Sequence, residues 1–297
     1  MNRPGKIALL AACGLVLSGC QTMRRWRAPA DASSAERMKQ LEKQVEVLTA
    51  RLENIEYEMR FNVAANQVSL GKYQEAIKGF REVVNLSPNS VYAADSLYEI
   101  AKIYRYHLKN PSKAVEVYEE LIKRYPRSEF HRTAAYEIAA SLAELGKKTE
   151  ALAQYQKIVS SFGRDPVVEK AWYDLGALHQ EGKNHKEARA AYEKLIDLFP
   201  AGTLRPAAHY SLAKSALALS DTPTALREYE KVYQDYPNAA VAELAYFDRL
   251  VAMAAGNGDS EVLAAIGQYS IRYPNGRYRA ETERLLKKLE NKKPRTP

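Results

Sequence analysis

The spacing of apolar positions changes twice along the chain. From Glu36, the residues Met38, Leu41, Val45, Leu48, Leu52, Ile55 and Met59 fall alternately three and four residues apart. That is the seam of a coiled coil, and it predicts a helix over 36–60. In a parallel pair Arg37 would meet Glu42 and Arg51 would meet Glu56, both attractive, while Gln44 would face Thr49. The stripe therefore either joins copies of the chain, as dimer or trimer, or lies on the chain's own helices. No Gly or Pro occurs from Glu36 to Leu70. The helix is expected to run straight into the first repeat helix, as a stalk of about 35 residues and roughly 50 Å.

A second pattern then recurs to residue 276. A small position (Ala76, Ala114, Ala151, Ala188, Ala225) is followed four residues later by an aromatic (Phe80, Tyr118, Tyr155, Tyr192, Tyr229). A turn column closes each unit: Pro88, Pro126, Gly163, Pro200, Pro237, Pro274. From Pro126 the period is 37 residues, and the step before it is 38. Each unit predicts two amphipathic helices, as in Val168–Gln180 and Lys186–Phe199, with Pro200 stopping the second. One such pair cannot bury its apolar stripe, so neighbours must stack into a solenoid. Six units result: 57–90, 91–128, 129–165, 166–202, 203–239 and 240–276. The last replaces the Ala and Tyr columns by Val262 and Ile266, as a terminal repeat does, and 277–297 reads as a basic capping helix and tail.

The fourth unit carries a specific resemblance. Trp172-x2-Leu175-Gly176-x2-His179, followed by Ala188, Tyr192 and Pro200, resembles the tetratricopeptide repeat, with His179 in place of the usual tyrosine. Ile138-Ala139 and Leu212-Ala213 keep the pattern more loosely. The resemblance implies an all-α fold, a right-handed solenoid of helix pairs with the coiled-coil helix at its N-terminal side. The period exceeds the family's usual 34, and the added residues fall after the turn, before or within the next first helix.

Charge and cysteine count add an address. Net charge is +8, but the excess sits at the ends: Arg3 and Lys6, then Arg24, Arg25 and Arg27, then the run from Arg284 to Arg295. The body is nearly neutral, which argues against a nucleic-acid surface. Arg24-Arg25-Trp26-Arg27 suits either a membrane surface or a solvated linker. Ile7–Leu17 is too short to span a bilayer, and its charge-then-apolar order marks residues 1–19 as a secretory signal. Leu17-Ser18-Gly19-Cys20 resembles the lipobox of bacterial lipoproteins. The resemblance implies acylation of Cys20, a lipidated tether over 20–35 and, through Gln21, an outer-membrane location facing the periplasm. The competing reading is an ordinary signal peptide with an incidental cysteine. Cys13 leaves with the signal, so the mature chain would keep no free thiol for chemistry.

No catalytic constellation emerges. His107, His131, His179, His185 and His209 show no i, i+4 pair for zinc. There is no phosphate loop, dinucleotide fingerprint or nucleophile elbow. Gly256-Asn257-Gly258-Asp259 lacks the acidic series of a calcium loop, and Glu119-Glu120 reads as a solvated face. A non-enzymatic protein without cofactor or metal is expected. What remains is a ring column on the first helices: Phe61, Tyr98, Tyr136, Tyr173, Tyr210, Phe247. By the tetratricopeptide resemblance this place faces the concave groove. Lys102, Arg105 and Lys214 share the face, which would suit a peptide or partner helix with apolar and acidic groups. The alternative is that the column only packs repeats together.

A lipid anchor with several such units and turns like Tyr125-Pro126-Arg127-Ser128 is similar to the YfiO/BamD family. Those lipoproteins support insertion of β-barrel proteins into the outer membrane. A coiled coil followed by repeats also resembles the CpoB/YbgF family, periplasmic partners of the Tol–Pal system in constriction and peptidoglycan synthesis. The expectation is a scaffold lipoprotein serving barrel assembly. The alternatives are Tol–Pal or cell-wall coordination, pilotin-like support of a pilus or secretion machine, and, in another class, a cell-wall enzyme or polysaccharide-binding module.

Overall fold

The computed structural model describes residues 32–256 and 259–291. The signal segment 1–19, Cys20, the tether to residue 31, Asn257-Gly258 and the tail beyond 291 lie outside the described residues. The chain divides into two compact units at Asn62/Val63. Every regular element among the described residues is helical.

α1 (Ala32–Ser69) is one uninterrupted helix, as the lack of Gly and Pro allows. Up to Asn62 its seam is open: Met38, Leu41, Val45, Leu48, Leu52, Ile55 and Met59 are each more than half exposed. Glu56, a flanking residue of the seam, is engaged by Arg60 one turn on at 2.8 Å.

From Val63 onward the helices alternate. α2 (Tyr73–Leu86) completes the first pair. α3 (Val91–Lys102) continues through a π-helical turn, Ile103–His107, and packs on α4 (Pro111–Arg124). Then come α5 (His131–Glu144) with α6 (Lys148–Ser161), α7 (Pro166–Glu181) with α8 (His185–Leu198), and α9 (Arg205–Ala218) with α10 (Thr222–Asp235). The sixth pair is α11 (Ala242–Ala255) with α12 (Asp259–Arg272), and α13 (Arg279–Glu290) caps it by burying Thr282 and Leu289. From α2 onward each helix packs chiefly on its chain neighbours, as a stacked array requires.

The predicted columns form the core. Ala76, Ala114, Ala151, Ala188 and Ala225 are fully buried, and Phe80, Tyr118, Tyr155, Tyr192 and Tyr229 are at most 2% exposed. Second helices end two residues before the turn column, as in α4, whose last turn closes with Tyr125 N donating to Leu121 O at 2.8 Å ahead of Pro126. Several helices start with Pro in the first turn, and Asn110, Asp165 and Asp221 cap them through side-chain oxygens, satisfying amides that have no intrahelical partner.

First helices end on a left-handed residue: Gly71, Lys109, Gly146, Lys183 and Ser220, with φ of 73°, 50°, 74°, 60° and 61°. The following amide donates back across the turn, for example Lys147 N to Leu142 O at 2.9 Å and Asn184 N to His179 O at 2.8 Å, a Schellman closure. This column also locates the single 38-residue step. Ten residues separate Tyr136 from Gly146, and likewise Tyr173 from Lys183, but eleven separate Tyr98 from Lys109. The extra residue is absorbed by the π-turn, which is how a helix accommodates an insertion without changing its neighbours.

Candidate functional site

The ring column stands on the first helices with one side packed and one side open. Tyr98, Tyr136, Tyr173 and Tyr210 are half-buried. Each leans on the core aromatic of its own unit at nearly constant geometry. Centroids lie 5.9, 5.9, 5.8 and 5.7 Å from Tyr118, Tyr155, Tyr192 and Tyr229, with ring planes 54–57° apart. Tilted aromatic pairs of this kind place ring edges against ring faces. On Tyr98 and on Phe247 the neighbouring turn adds a stacked ring, Phe130 at 4.4 Å and Tyr278 at 5.0 Å respectively.

The residue after each ring forms a second column that sequence reasoning did not single out: Glu99, Glu137, Asp174, Ser211, Asp248. Tyr136 donates its hydroxyl to Asp174 Oδ2 at 2.7 Å, reaching from one unit into the next, and Tyr155 donates to the same oxygen at 3.2 Å. Tyr210 repeats the bond to Asp248 Oδ2 at 2.7 Å. Burial, then the neighbouring carboxylate, pushes the Tyr136 hydroxyl far above its ordinary range. Burial and the bond to Asp248 do the same to Tyr210. Both therefore stay protonated donors at neutral pH. Burial raises the Asp174 carboxyl against the lowering effect of its two tyrosine hydrogen bonds. The signal was present in the sequence as an acid directly after four of the six ring positions.

The cations of this face sit differently from one another. Lys102 is paired with Glu99 at 2.7 Å and lies 5.5 Å from the Tyr98 ring. Arg105 is brought by the π-turn onto Glu137, with Glu144 at 3.6 Å, and both members of the main pair are nearly buried. Burial opposes the Arg105 charge, but Glu137, Tyr106 and Glu144 outweigh it and raise its pKa. Tyr106 also donates to Glu137 at 2.7 Å, and burial with that bond pushes its hydroxyl up to about 12. With Glu137 so occupied, the Tyr118 hydroxyl has no partner among the described residues, although its equivalent Tyr155 reaches Asp174. Lys214 is exposed, 5.7 Å from the Tyr210 ring. Of the three cations singled out in the sequence, two are therefore neutralised within the protein.

Three of the five histidines are held against neighbouring side chains. His107 stacks on Tyr73 at 4.6 Å, His131 meets the edge of Phe162, and His209 is buried against Glu228 at 2.7 Å. No group of three metal-ligating side chains occurs among the described residues, nor any helix long and apolar enough to cross a membrane. An open cleft of about 930 Å³ lies between the turn at Pro88–Val91 and the turn at Tyr125–Glu129. Ala94, in its lining, stands at the register position from which Glu169 and Glu243 reach the next turn in their units. Those two accept from the amides of Leu204 (2.7 Å) and Tyr278 (3.2 Å).

The same repeat is found in known proteins. Tetratricopeptide-repeat models match residues 136–203 in one form and 58–90, 95–128 and 207–239 in another. Together these spans cover more than half of the sequence, and the chain belongs to the tetratricopeptide-repeat family. A tetratricopeptide repeat protein from Parabacteroides merdae superposes with a TM-score of 0.53 at 15% identity, over 79% of this chain and 99% of that one. PilF of Pseudomonas aeruginosa gives 0.51 at 15% identity, over 80% and 97%. MamA of Desulfovibrio magneticus gives 0.49 at 22% identity, over 60% and 93%. The first two show the shared fold. Comparison with curated proteins finds no match.

Proposed function

We propose that this chain is a non-catalytic scaffold lipoprotein, acylated on Cys20, that docks partner proteins on its first-helix face at the periplasmic side of the outer membrane. The observation that carries the docking reading is the ring column, held at constant tilt by the core beneath and half open above. Large rings on a rigid scaffold offer contact area at little entropic cost. Leu17-Ser18-Gly19-Cys20 and Gln21 support the address, and the lipid-plus-repeat design favours barrel assembly as the process served. A crosslinked pull-down from detergent-solubilised membranes tests this, with Cys20→Ser as the second arm. Barrel-assembly proteins should be recovered with the wild type, and the Ser variant should leave the membrane fraction. Recovery of Tol–Pal, cell-wall or pilus components instead would overturn the process. A variant that remained membrane-bound would overturn the anchor.

The open seam of α1 favours self-association as well. The pairs Arg37–Glu42 and Arg51–Glu56 would join parallel copies, while Val45 with Leu48 suits two strands and Leu52 with Ile55 suits three or four. Sedimentation of the Cys20→Ser chain should give an oligomer, dimer or trimer, and adding Leu41→Asp and Leu48→Asp should return it to monomer. Equal masses for the two would reject the seam. A coil beside repeats is also the feature that favours cell-wall coordination as the second reading.

A further inference from the structure

Four carboxylates follow the rings of the first-helix face, and they fall into two kinds. Glu99 and Glu137 have cations: Lys102 at 2.7 Å for the first, Arg105 for the second. Asp174 and Asp248 form no ion pair within 4.0 Å among the described residues, and the charges of Arg105 and Lys170 reach Asp174 only from farther off. They are held by tyrosine hydroxyls alone, and only through Oδ2. Oδ1 of each accepts nothing from the described side chains or backbone. A tyrosine bond orients a carboxylate without neutralising it, and a half-buried carboxylate with no cation in contact gains from one.

We propose that the first-helix face of units four to six is a receptor for a partner segment bearing two cationic side chains, lysine or arginine, one for Asp174 and one for Asp248. The inference rests on the docking reading and reverses part of the partner chemistry expected from sequence. Lys102 and Arg105 are spent on internal pairs, so the opposite end of the face has little to offer an acidic partner. Ser211 stands between the two aspartates in the same column, so the cations of the partner should be spaced by two units rather than one. The surroundings suit long aliphatic stems. Phe247 is half-buried and Val251, one turn beyond Phe247, is 46% exposed, and such stems cover apolar surface while their heads reach a charge. Two exposed lysines, Lys170 and Lys214, flank the region. They set a limit on how many further cations the partner can carry.

Selection of random short peptides displayed on phage against the full chain in detergent tests this, run in parallel on the double variant Asp174→Asn, Asp248→Asn. Asparagine keeps an acceptor for the tyrosine hydroxyls, and circular dichroism melts verify that the variant folds like the wild type. Peptides enriched on the wild type should carry lysine or arginine, and that bias should vanish on the variant. For one enriched peptide made synthetically, each single Asn substitution should weaken Kd by roughly tenfold or more, and added salt should weaken the wild type most. Enrichment of acidic or uncharged peptides, or the same basic peptides on both proteins, overturns the proposal and leaves the docking reading standing. Failure to enrich any peptide on the wild type overturns the docking reading itself, and this proposal with it.

Discussion

Tyr192→Ala should lower the stability of the repeat array by about 3–5 kcal/mol, the usual cost of emptying a buried aromatic site. Tyr192 is 1% exposed and lies against α7 at Gly176. A Cβ placed on Gly176 would sit 2.7 Å from Tyr192 Cε1 and 2.8 Å from Cζ, inside any real contact. Glycine is therefore needed there for close approach rather than for backbone freedom. Gly176→Ala alone should cost about 1–3 kcal/mol through overpacking, because the ring is held by its neighbours and cannot simply retreat. In the Tyr192→Ala background the obstruction is gone. There Gly176→Ala should be neutral or stabilising, since alanine favours a helix interior by ~1 kcal/mol over glycine. A double-mutant cycle in urea reads this directly, with a coupling that changes the sign of the Gly176 effect. Additive costs would mean that the ring and the glycine do not compete for the same space. Hydrogen exchange should show the loss spreading to α6 and α9, because each unit is stabilised by its neighbours.

Much of this arrangement is legible in the sequence. The 37-residue period, the Ala and aromatic columns and the turn prolines report constraints that recur in every unit, and repetition separates them from chance. The capping helix was legible because Arg279–Glu290 follows a degenerate unit. Several features were not legible, for identifiable reasons. The left-handed column is held by Gly71 and Gly146 but also by Lys109, Lys183 and Ser220. Residue type there is a weak guide, because the Schellman closure tolerates a strained residue. In Gly182-Lys183 the glycine even lies beside the left-handed position rather than on it. The π-turn appears in sequence only as one surplus residue, and nothing local says which turn of the helix will absorb it. The acidic column was visible but unremarkable, since single acids on amphipathic helices are usually solvated. Only its bonds to hydroxyls a unit away distinguish Asp174 and Asp248. The charges of Lys102 and Arg105 likewise read as free until their partners are seen. Pairing across units depends on rotamers and on the π-turn, which periodicity does not encode.

The fifth unit supplies the other large effect. Glu228 and His209 are 5% and 4% exposed, with Oε2 to Nδ1 at 2.7 Å, and Glu228 Oε1 takes Lys231 at 2.9 Å. Burial alone would raise the Glu228 carboxyl. Its bonds to His209 and Lys231 and their charges more than offset that and hold it down at about 2, against an ordinary 4.5. The folded form therefore binds this proton less readily than the unfolded chain. Stability from the group is complete above about pH 4.5 and is lost as pH falls toward 2. The shift corresponds to on the order of 3 kcal/mol. Glu228→Gln keeps size and an acceptor but removes the charge, so at pH 7 it should cost about that much, leaving Lys231 without its counter-ion and His209 with a weaker hydrogen-bond partner. The two proteins should then converge on acidification, because protonated Glu228 is nearly an isostere of the variant. Denaturant melts at pH 7, 4.5 and 2.5 measure the gap. A gap that stayed constant across that range would show that the carboxylate charge does not hold α9 to α10.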